Sequence, residues 1–367
     1  MTYNWQQKDW TRFTYSPDGL DEKLMAFVAE SAHLVGMSRA LPEAVQTDTL
    51  LAMMLAEAMK TSEIEGEVLS RPDVLSSIRN NLGLNERIEK VKDKRAQGIG
   101  ELMVVVRRNY AKPISDAMLF KWHSILMRYN SRIQSGVWRS HKEPMQVVSG
   151  TIGKEKVHFE APPSSRVPAE MKKFITWFNN TAPGGKKQIK NAPLRAAIAH
   201  LYFESIHPFE DGNGRIGRAV AEKALSQTAG GPLLMSLSQV IEGKRKVYYS
   251  ALETAQKSND ITEWVNYFVS VVLEAIKRAK KTIDFTLRKA RFFDQYNEQM
   301  NERQVKVIRR LMDAEPEGFV GGMTARKYMS ITKTSKATAT RDLQTLADLG
   351  VLISEGSGRS VHYRLNL

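Results

Sequence analysis

Apolar residues recur at helical spacing through most of the chain, and that period predicts a mainly α-helical protein. Leu24, Phe27, Val28, Ala32 and Val35 mark a first helix. It opens near Leu20, after an aromatic lead (Trp5, Trp10, Phe13) and the turn signal Ser16-Pro17-Asp18-Gly19. Leu50, Met54, Leu55, Ala58 and Met59 mark a second helix, which runs into Thr61-Ser62-Glu63-Ile64-Glu65 and meets a C-cap signal at Gly66. Taken alone, that acidic ending is a commonplace helix terminus. Helical patterns follow over 96–110, 115–129, 167–179, 193–206 and 216–225, then from Tyr248 to Gln256, and over 264–293.

The texture changes twice. Met145, Val147 and Val148, a turn at Ser149-Gly150, and Val157, His158 and Phe159 read as a β-hairpin. Ala161-Pro162-Pro163 stops it from lengthening, so it is expected as a flap rather than part of a sheet. Near the C-terminus, helices are expected over 305–312, 324–329 and 335–349. Gly350-Val351-Leu352 and Ser360–Arg364 then flank Glu355–Arg359 as a two-stranded wing. The expected division is an N-terminal helical region over 1–95, a catalytic domain over 96–288 and a small domain over 289–367.

Composition narrows the class. A chain of 367 residues exceeds one ordinary core, so about two or three domains are expected. No apolar run reaches the roughly eighteen residues of a membrane span, and Met1-Thr2-Tyr3-Asn4-Trp5 has no signal-peptide pattern. The expectation is a soluble cytoplasmic protein with no membrane partner. Zero cysteines exclude disulfides and thiolate zinc sites. The net charge of +14 points to acidic partners such as nucleotide phosphates or nucleic acid. The run Lys277-Arg278-Ala279-Lys280-Lys281 reads as a solvated face.

Candidate chemistry concentrates in His207-Pro208-Phe209-Glu210-Asp211-Gly212-Asn213-Gly214-Arg215-Ile216-Gly217-Arg218, a loop between two helical patterns. Pro208 pushes His207 out of the helical region and leaves an imidazole at a helix end. Gly212, Asn213 and Gly214 tolerate left-handed dihedrals where a new helix starts, so successive N–H groups can converge on an anion. Arg215 and Arg218 can reach the same anion, and Asp211 offers a hard oxygen ligand for magnesium. The set implies chemistry on a phosphate. Phe209 is expected in the core, Glu210 toward solvent and His200 packed; Glu204 and His207 have E-x-x-H spacing, but Pro208 breaks the helix a metal pair would need.

This stretch resembles the signature of the Fic (filamentation induced by cAMP) family, and the resemblance extends to Trp138-Arg139, the flap and the Tyr248-Tyr249 pair. It implies a Fic-type helical core that transfers AMP from ATP to a hydroxyl side chain of a protein. His207 would take the hydroxyl proton and Asp211 would hold magnesium. Gly212, Asn213, Gly214, Arg215, Gly217 and Arg218 would bind the ATP phosphates, with Tyr248, Tyr249 and Gln256 beside the adenine. Thr61, Glu65 and Gly66 match the inhibitory motif of self-restrained Fic proteins, which implies that Glu65 pairs with Arg218. Val147, Val148, Val157 and His158 would hold the target segment by strand addition.

The tail resembles a winged helix-turn-helix, so 320–367, with a mild basic surplus, is a candidate for DNA binding, protein docking or dimerisation. A homodimer is a further expectation. Two alternatives stay open: AMP removal through the same residues, with Glu65 positioning a water, and a transcription regulator whose Fic domain senses nucleotide. Reversed-nucleotide phosphorylation, as in the Doc branch, is disfavoured because the chain keeps Gly214 where that branch has lysine.

Overall fold

Local capping chemistry sets many of the helix starts in the computed structural model, which describes residues 2–149, 156–312, 319, 321–357 and 360–366. Ser70, Asp93, Ser115, Ser236, Thr324 and Ser335 each accept a backbone N–H from the first turn that follows. The expected turn residues Gly150, Gly358 and Arg359 lie outside the described residues. The chain divides into two units, Met1–Ala40 with Leu50–Ala279, and Leu41–Thr49 with Lys280–Leu367.

The fold is mainly helical, as the periodicity predicts. In chain order come α1 (Leu20–Arg39), α2 (Glu43–Ile64), α3 (Arg71–Leu82), α4 (Lys94–Arg108) and α5 (Asp116–Met127), with the division between the units cutting α2 after Thr49 and the eleventh helix after Ala279. The hairpin β1 (Gln146–Ser149) and β2 (Lys156–Glu160) precedes α6 (Val167–Asn180), α7 (Ala192–Ile206), α8 (Asn213–Thr228), α9 (Leu237–Gly243), α10 (Arg245–Ala255) and α11 (Thr262–Tyr296). Helices α3 and α9 were not expected. Helix α3 does carry a readable signal, Ser70 and Pro72 ahead of Val74, Leu75, Ile78 and Leu82 at helical spacing, and α9 is a short seven-residue helix.

Helix α7 is the centre of the larger unit. All of its residues are buried, which is the mark of a helix enclosed by others. Trp264 of α11 donates to the Ala197 carbonyl at 2.8 Å, and Phe174, Trp177 and Trp10 pack edge-on around Tyr202. The aromatic lead is tied down in the same unit. Trp5 donates to the Glu160 carbonyl at 2.7 Å, Asn4 to Ser205 at 2.9 Å, and Thr14 bridges Asp260. The base of the hairpin and the last turn of α7 are thereby fastened to one segment.

The smaller unit contains α12 (Glu302–Met312), α13 (Ala325–Thr332), α14 (Lys336–Asp348) and the antiparallel pair β3 (Leu352–Glu355) and β4 (His362–Leu365). Val307, Ile308, Leu311, Tyr328, Leu343, Leu346 and Val351 form its core. Asp342 is buried there, held by Arg303 at 3.0 Å and the Tyr328 hydroxyl at 2.9 Å. Among the described residues no helix is long and apolar enough to cross a membrane.

Candidate active site

The loop from His207 to Gly212 joins the C-terminus of α7 to the N-terminus of α8. His207 caps α7 in the left-handed region, with φ 50 and ψ 61, a conformation that costs a non-glycine residue about 1–2 kcal/mol. Surrounding bonds hold it there. Arg139, 3% exposed, donates from Nε to the His207 carbonyl at 2.8 Å. It reaches the Ile206 and Pro162 carbonyls at 3.3 and 2.5 Å, and its own N–H donates to the Pro208 carbonyl at 2.9 Å. Burial lowers its pKa to about 10.

Phe209 is fully buried, as expected, and stacks on His123 with ring centroids 4.0 Å apart. The His123 ring touches the Asp211 carbonyl at 3.1 Å and accepts the Gly136 N–H at 2.8 Å, so Nε2 carries its proton. Burial lowers its pKa to about 4. The Asn213 side chain clamps Phe209 twice, accepting its N–H at 2.9 Å and donating to its carbonyl at 2.8 Å. The Asn213 side chain is thus spent inside the loop, which leaves its backbone N–H as what it can offer an anion. Gly212 is left-handed at φ 79, and a Cβ there would meet the Met127 sulfur at 3.1 Å. It provides no side-chain cap, which leaves the first-turn N–H groups of α8 as anion donors.

Arg218 is 2% exposed, and its guanidinium is already engaged. Nε donates to the Thr61 hydroxyl at 2.7 Å, and a terminal nitrogen donates to the Thr61 carbonyl at 2.9 Å and to Glu65 Oε1 at 2.7 Å. Burial alone would lower its pKa, but the Glu65 carboxylate beside it raises it. Glu65 lies just past α2, in a reversal where the Glu65 and Glu67 N–H groups both donate to the Ser62 carbonyl and Gly66 sits at φ 82. A Cβ on Gly214 would stand 2.2 Å from Glu65 Oε1, so that glycine admits the carboxylate.

Three residues of this site take on roles that the sequence did not give them. Glu67 accepts from Arg215 at 2.7 Å and from the Tyr129 hydroxyl at 2.7 Å, with the Arg215 side chain 3% exposed. Glu204, buried on the last turn of α7, places Oε2 3.6 Å from His207 Nδ1. Burial pushes its carboxyl up, but His207, His200 and Arg218 around it leave it below the ordinary value. Arg139 was noticed as part of the resemblance and not as the brace of His207. For Glu67 and Arg139 no local spacing announces the contact. For Glu204 the E-x-x-H spacing did.

The adenine-side residues are spread differently. Tyr248 is buried and its hydroxyl meets His200 Nε2 at 2.9 Å, while Tyr249 is 36% exposed and donates to the Ile64 carbonyl at 3.3 Å. Gln256 is buried and donates to the Glu204 carbonyl at 3.2 Å. Gly217 faces inward, where a Cβ would stand 2.1 Å from Glu204 Oε1. In the hairpin, Val148 and Val157 are exposed, His158 contacts Glu253 at 2.8 Å, and Val147 packs near Phe159.

Asp211 is 52% exposed at the start of α8 and accepts the Gly212 N–H at 2.5 Å. Among the described residues no group of three or more His, Asp or Glu side chains converges to cage a metal. One carboxylate, completed by phosphate oxygens and water, is a donor set magnesium accepts. The residues therefore fit a magnesium ion that arrives with a nucleotide.

The fold brings His207 at the end of α7, the open first turn of α8, and Arg215 and Arg218 on α8 to one place. Residues 113–225 match the model of the Fic/DOC family, and the chain carries a Fic/DOC-family domain. Residues 3–84 match DUF4172, a domain of unknown function, and Thr61 and Glu65 fall inside it. A probable protein adenylyltransferase, aq_aa38 of Aquifex aeolicus, is 28% identical over 154 residues, 42% of this chain and 41% of that protein. The protein adenylyltransferase fic-1 of Caenorhabditis elegans is 28% identical over 109 residues, 30% of this chain and 20% of that protein. The match thus spans less than half the length of these curated relatives. Among solved structures, a Fic family protein from Desulfovibrio desulfuricans G20 superposes with a TM-score of 0.55 at 20% identity, covering 96% of this chain and 97% of that one. At that identity the likeness speaks for the fold.

Proposed function

We propose that this chain is a protein adenylyltransferase, held off at rest by Glu65. The observation that supports the reading is the convergence of His207 in its braced loop with the uncapped first turn of α8 and the two arginines of that helix, inside the segment that matches the Fic/DOC model. The adenylyltransferase names of both relatives agree with it.

In this mechanism the oxygen of a Ser, Thr or Tyr hydroxyl on a target protein attacks the α-phosphorus of ATP. The bond from that phosphorus to the bridging oxygen breaks, and pyrophosphate leaves. The hydroxyl proton passes to His207, whose imidazole serves as general base. The N–H groups at the start of α8 and the Arg215 guanidinium offset charge on the departing pyrophosphate. Asp211 would hold magnesium, which supplies further charge neutralisation at the phosphates. Arg218 would bind the γ-phosphate once Glu65 has left it, and the exposed valines of the hairpin would pair with the target backbone.

The test is incubation with magnesium and α-labelled ATP. Glu65→Gly is expected to label itself and target proteins above wild type, and His207→Ala to abolish labelling. Equal labelling in all three defeats the reading. Release of AMP from an adenylylated protein by wild type, lost in Glu65→Gly, would place the chain among AMP-removing enzymes instead.

For the smaller unit we infer a nucleic-acid contact through α14. Its Ala339, Leu343 and Leu346 are buried, while Lys336, Thr340, Arg341 and Gln344 line one exposed face. These are residue types that bind phosphate or read base edges when such a helix follows another across a short turn.

A further inference from the structure

We propose that Glu204 is the positioning residue of His207, orienting the imidazole from its Nδ1 side so that Nε2 is the nitrogen that accepts the target's proton. The proposal rests on the transferase reading above. Three observations carry it. Glu204 Oε2 stands 3.6 Å from His207 Nδ1, and Nδ1 and Glu204 Oε1 are both buried without a hydrogen-bond partner. The unspent Nδ1 is one small side-chain movement from a bond to the Oε2 that faces it, while the unspent Oε1 lies on the Gly217 side, and such contacts tighten when a substrate fills the site.

The second observation is that the helix around Glu204 is built to admit its carboxylate. Gly217 in the middle of α8 costs that helix about 1 kcal/mol relative to alanine, yet any Cβ there would stand 2.1 Å from Glu204 Oε1 and 3.3 Å from the His200 ring. The third is that, of the ionisable groups around it, Glu204 is ion-paired with His207, while His200 Nδ1 and one Arg218 terminal nitrogen are buried without a hydrogen-bond partner. His200 is fully buried, its pKa is lowered by burial, and its Nε2 is turned to Tyr248. Arg218 is engaged by Thr61 and Glu65, and the Tyr248 hydroxyl is buried. The 3.6 Å approach to His207 Nδ1 is what singles out His207 as the group Glu204 acts on. When the hydroxyl proton reaches Nε2, the ring becomes an imidazolium, and the carboxylate behind Nδ1 offsets the new charge.

The experiment is histidine ring 15N NMR on the full chain without nucleotide, paired with kinetics of Glu204→Gln in a Glu65→Gly background. The expected wild-type tautomer carries its proton on Nδ1, and Glu204→Leu reverts His207 to the Nε2–H form. Glu204→Gln is expected to lose about tenfold or more in kcat with the KM for ATP unchanged, and the acidic limb of its pH–rate profile moves to lower pH. A Nε2–H tautomer in wild type overturns the proposal, whether or not the variants fold. So does a Glu204→Gln enzyme with unchanged kcat and pH limb. The tautomer is read without turnover, so an inactive Glu65→Gly protein that keeps the Nδ1–H form defeats the transferase reading and leaves this one standing.

A separate contact carries a second inference. We infer that Glu67 restrains Arg215 as Glu65 restrains Arg218, giving the resting site two carboxylate latches on either side of Gly66. Glu67 spends both oxygens, one on Arg215 and one on the Tyr129 hydroxyl, each at 2.7 Å. A phosphate that needs Arg215 must displace it. Calorimetric titration with magnesium and ATP tests this without turnover. Glu67→Gln in a Glu65→Gly background is expected to bind ATP about tenfold more tightly than Glu65→Gly alone, and Tyr129→Phe to act in the same direction by less. Unchanged or weaker binding by Glu67→Gln overturns it.

Discussion

Arg218 and Glu65 meet at 2.7 Å across 153 positions of sequence, one of them buried and the other 28% exposed. The asymmetry matters. The arginine cannot turn to solvent for a new partner, whereas the carboxylate can leave toward water. Removing Glu65 should therefore raise labelling and lower stability together. Glu65→Ala is expected to unfold with about 1–3 kcal/mol less stability, discounted for the exposed half of the pair, which denaturant titration with ATP absent will read.

Arg139 should be indispensable to the loop. It serves the carbonyls of Pro162, Ile206 and His207, and a lysine ammonium lacks the planar fork that spans them. Arg139→Ala is expected to cost about 2–4 kcal/mol and to abolish transfer, and Arg139→Lys to retain the fold with transfer strongly reduced. Melting temperature and the α-labelled ATP assay check both.

Acid should weaken the loop through His123. Its pKa in the fold is lowered to about 4, against about 6.5 unfolded, so the unfolded chain binds the extra proton between those values. The contribution of neutral His123 is complete above pH ~6.5 and lost as pH falls toward about 4, at up to about 1.4 kcal/mol per unit. A His123→Phe protein should show a flatter fall in stability over that window, measured by denaturant unfolding at each pH.

If α14 contacts DNA, Arg341→Ala will weaken binding to a selected duplex and relax its sequence preference. Lys336→Ala will weaken all duplexes alike and reduce the salt slope by about one. Fluorescence anisotropy across a salt series separates the two, and no salt-dependent binding by the wild-type chain would defeat the DNA reading.

What the sequence made legible was local. The helical period located most helices, because an amphipathic stripe is written in neighbouring residues. The hairpin was readable from Val147, Val148 and Val157 with the prolines behind them. The loop from His207 to Arg218 was legible because its chemistry is contiguous. Helix α3 was legible too: Ser70 and Pro72 mark its start, and Val74, Leu75, Ile78 and Leu82 recur at helical spacing. Glu67 and Arg139 escaped because their partners come from distant elements and leave no spacing to read. Asn213 and Gly217 were grouped with the phosphate-binding residues on the strength of the loop; the fold turns the side chain of one onto Phe209 and the bare Cα of the other toward Glu204.

Gly66 separates Glu65 from Glu67, and both of their N–H groups end on the single Ser62 carbonyl. On the proposed reading, extending or fraying α2 by one residue would move both carboxylates, so the contacts to Arg215 and Arg218 would loosen together. A substitution as small as Gly66→Ala, which penalises the left-handed turn by about 1 kcal/mol, is expected to shift that balance.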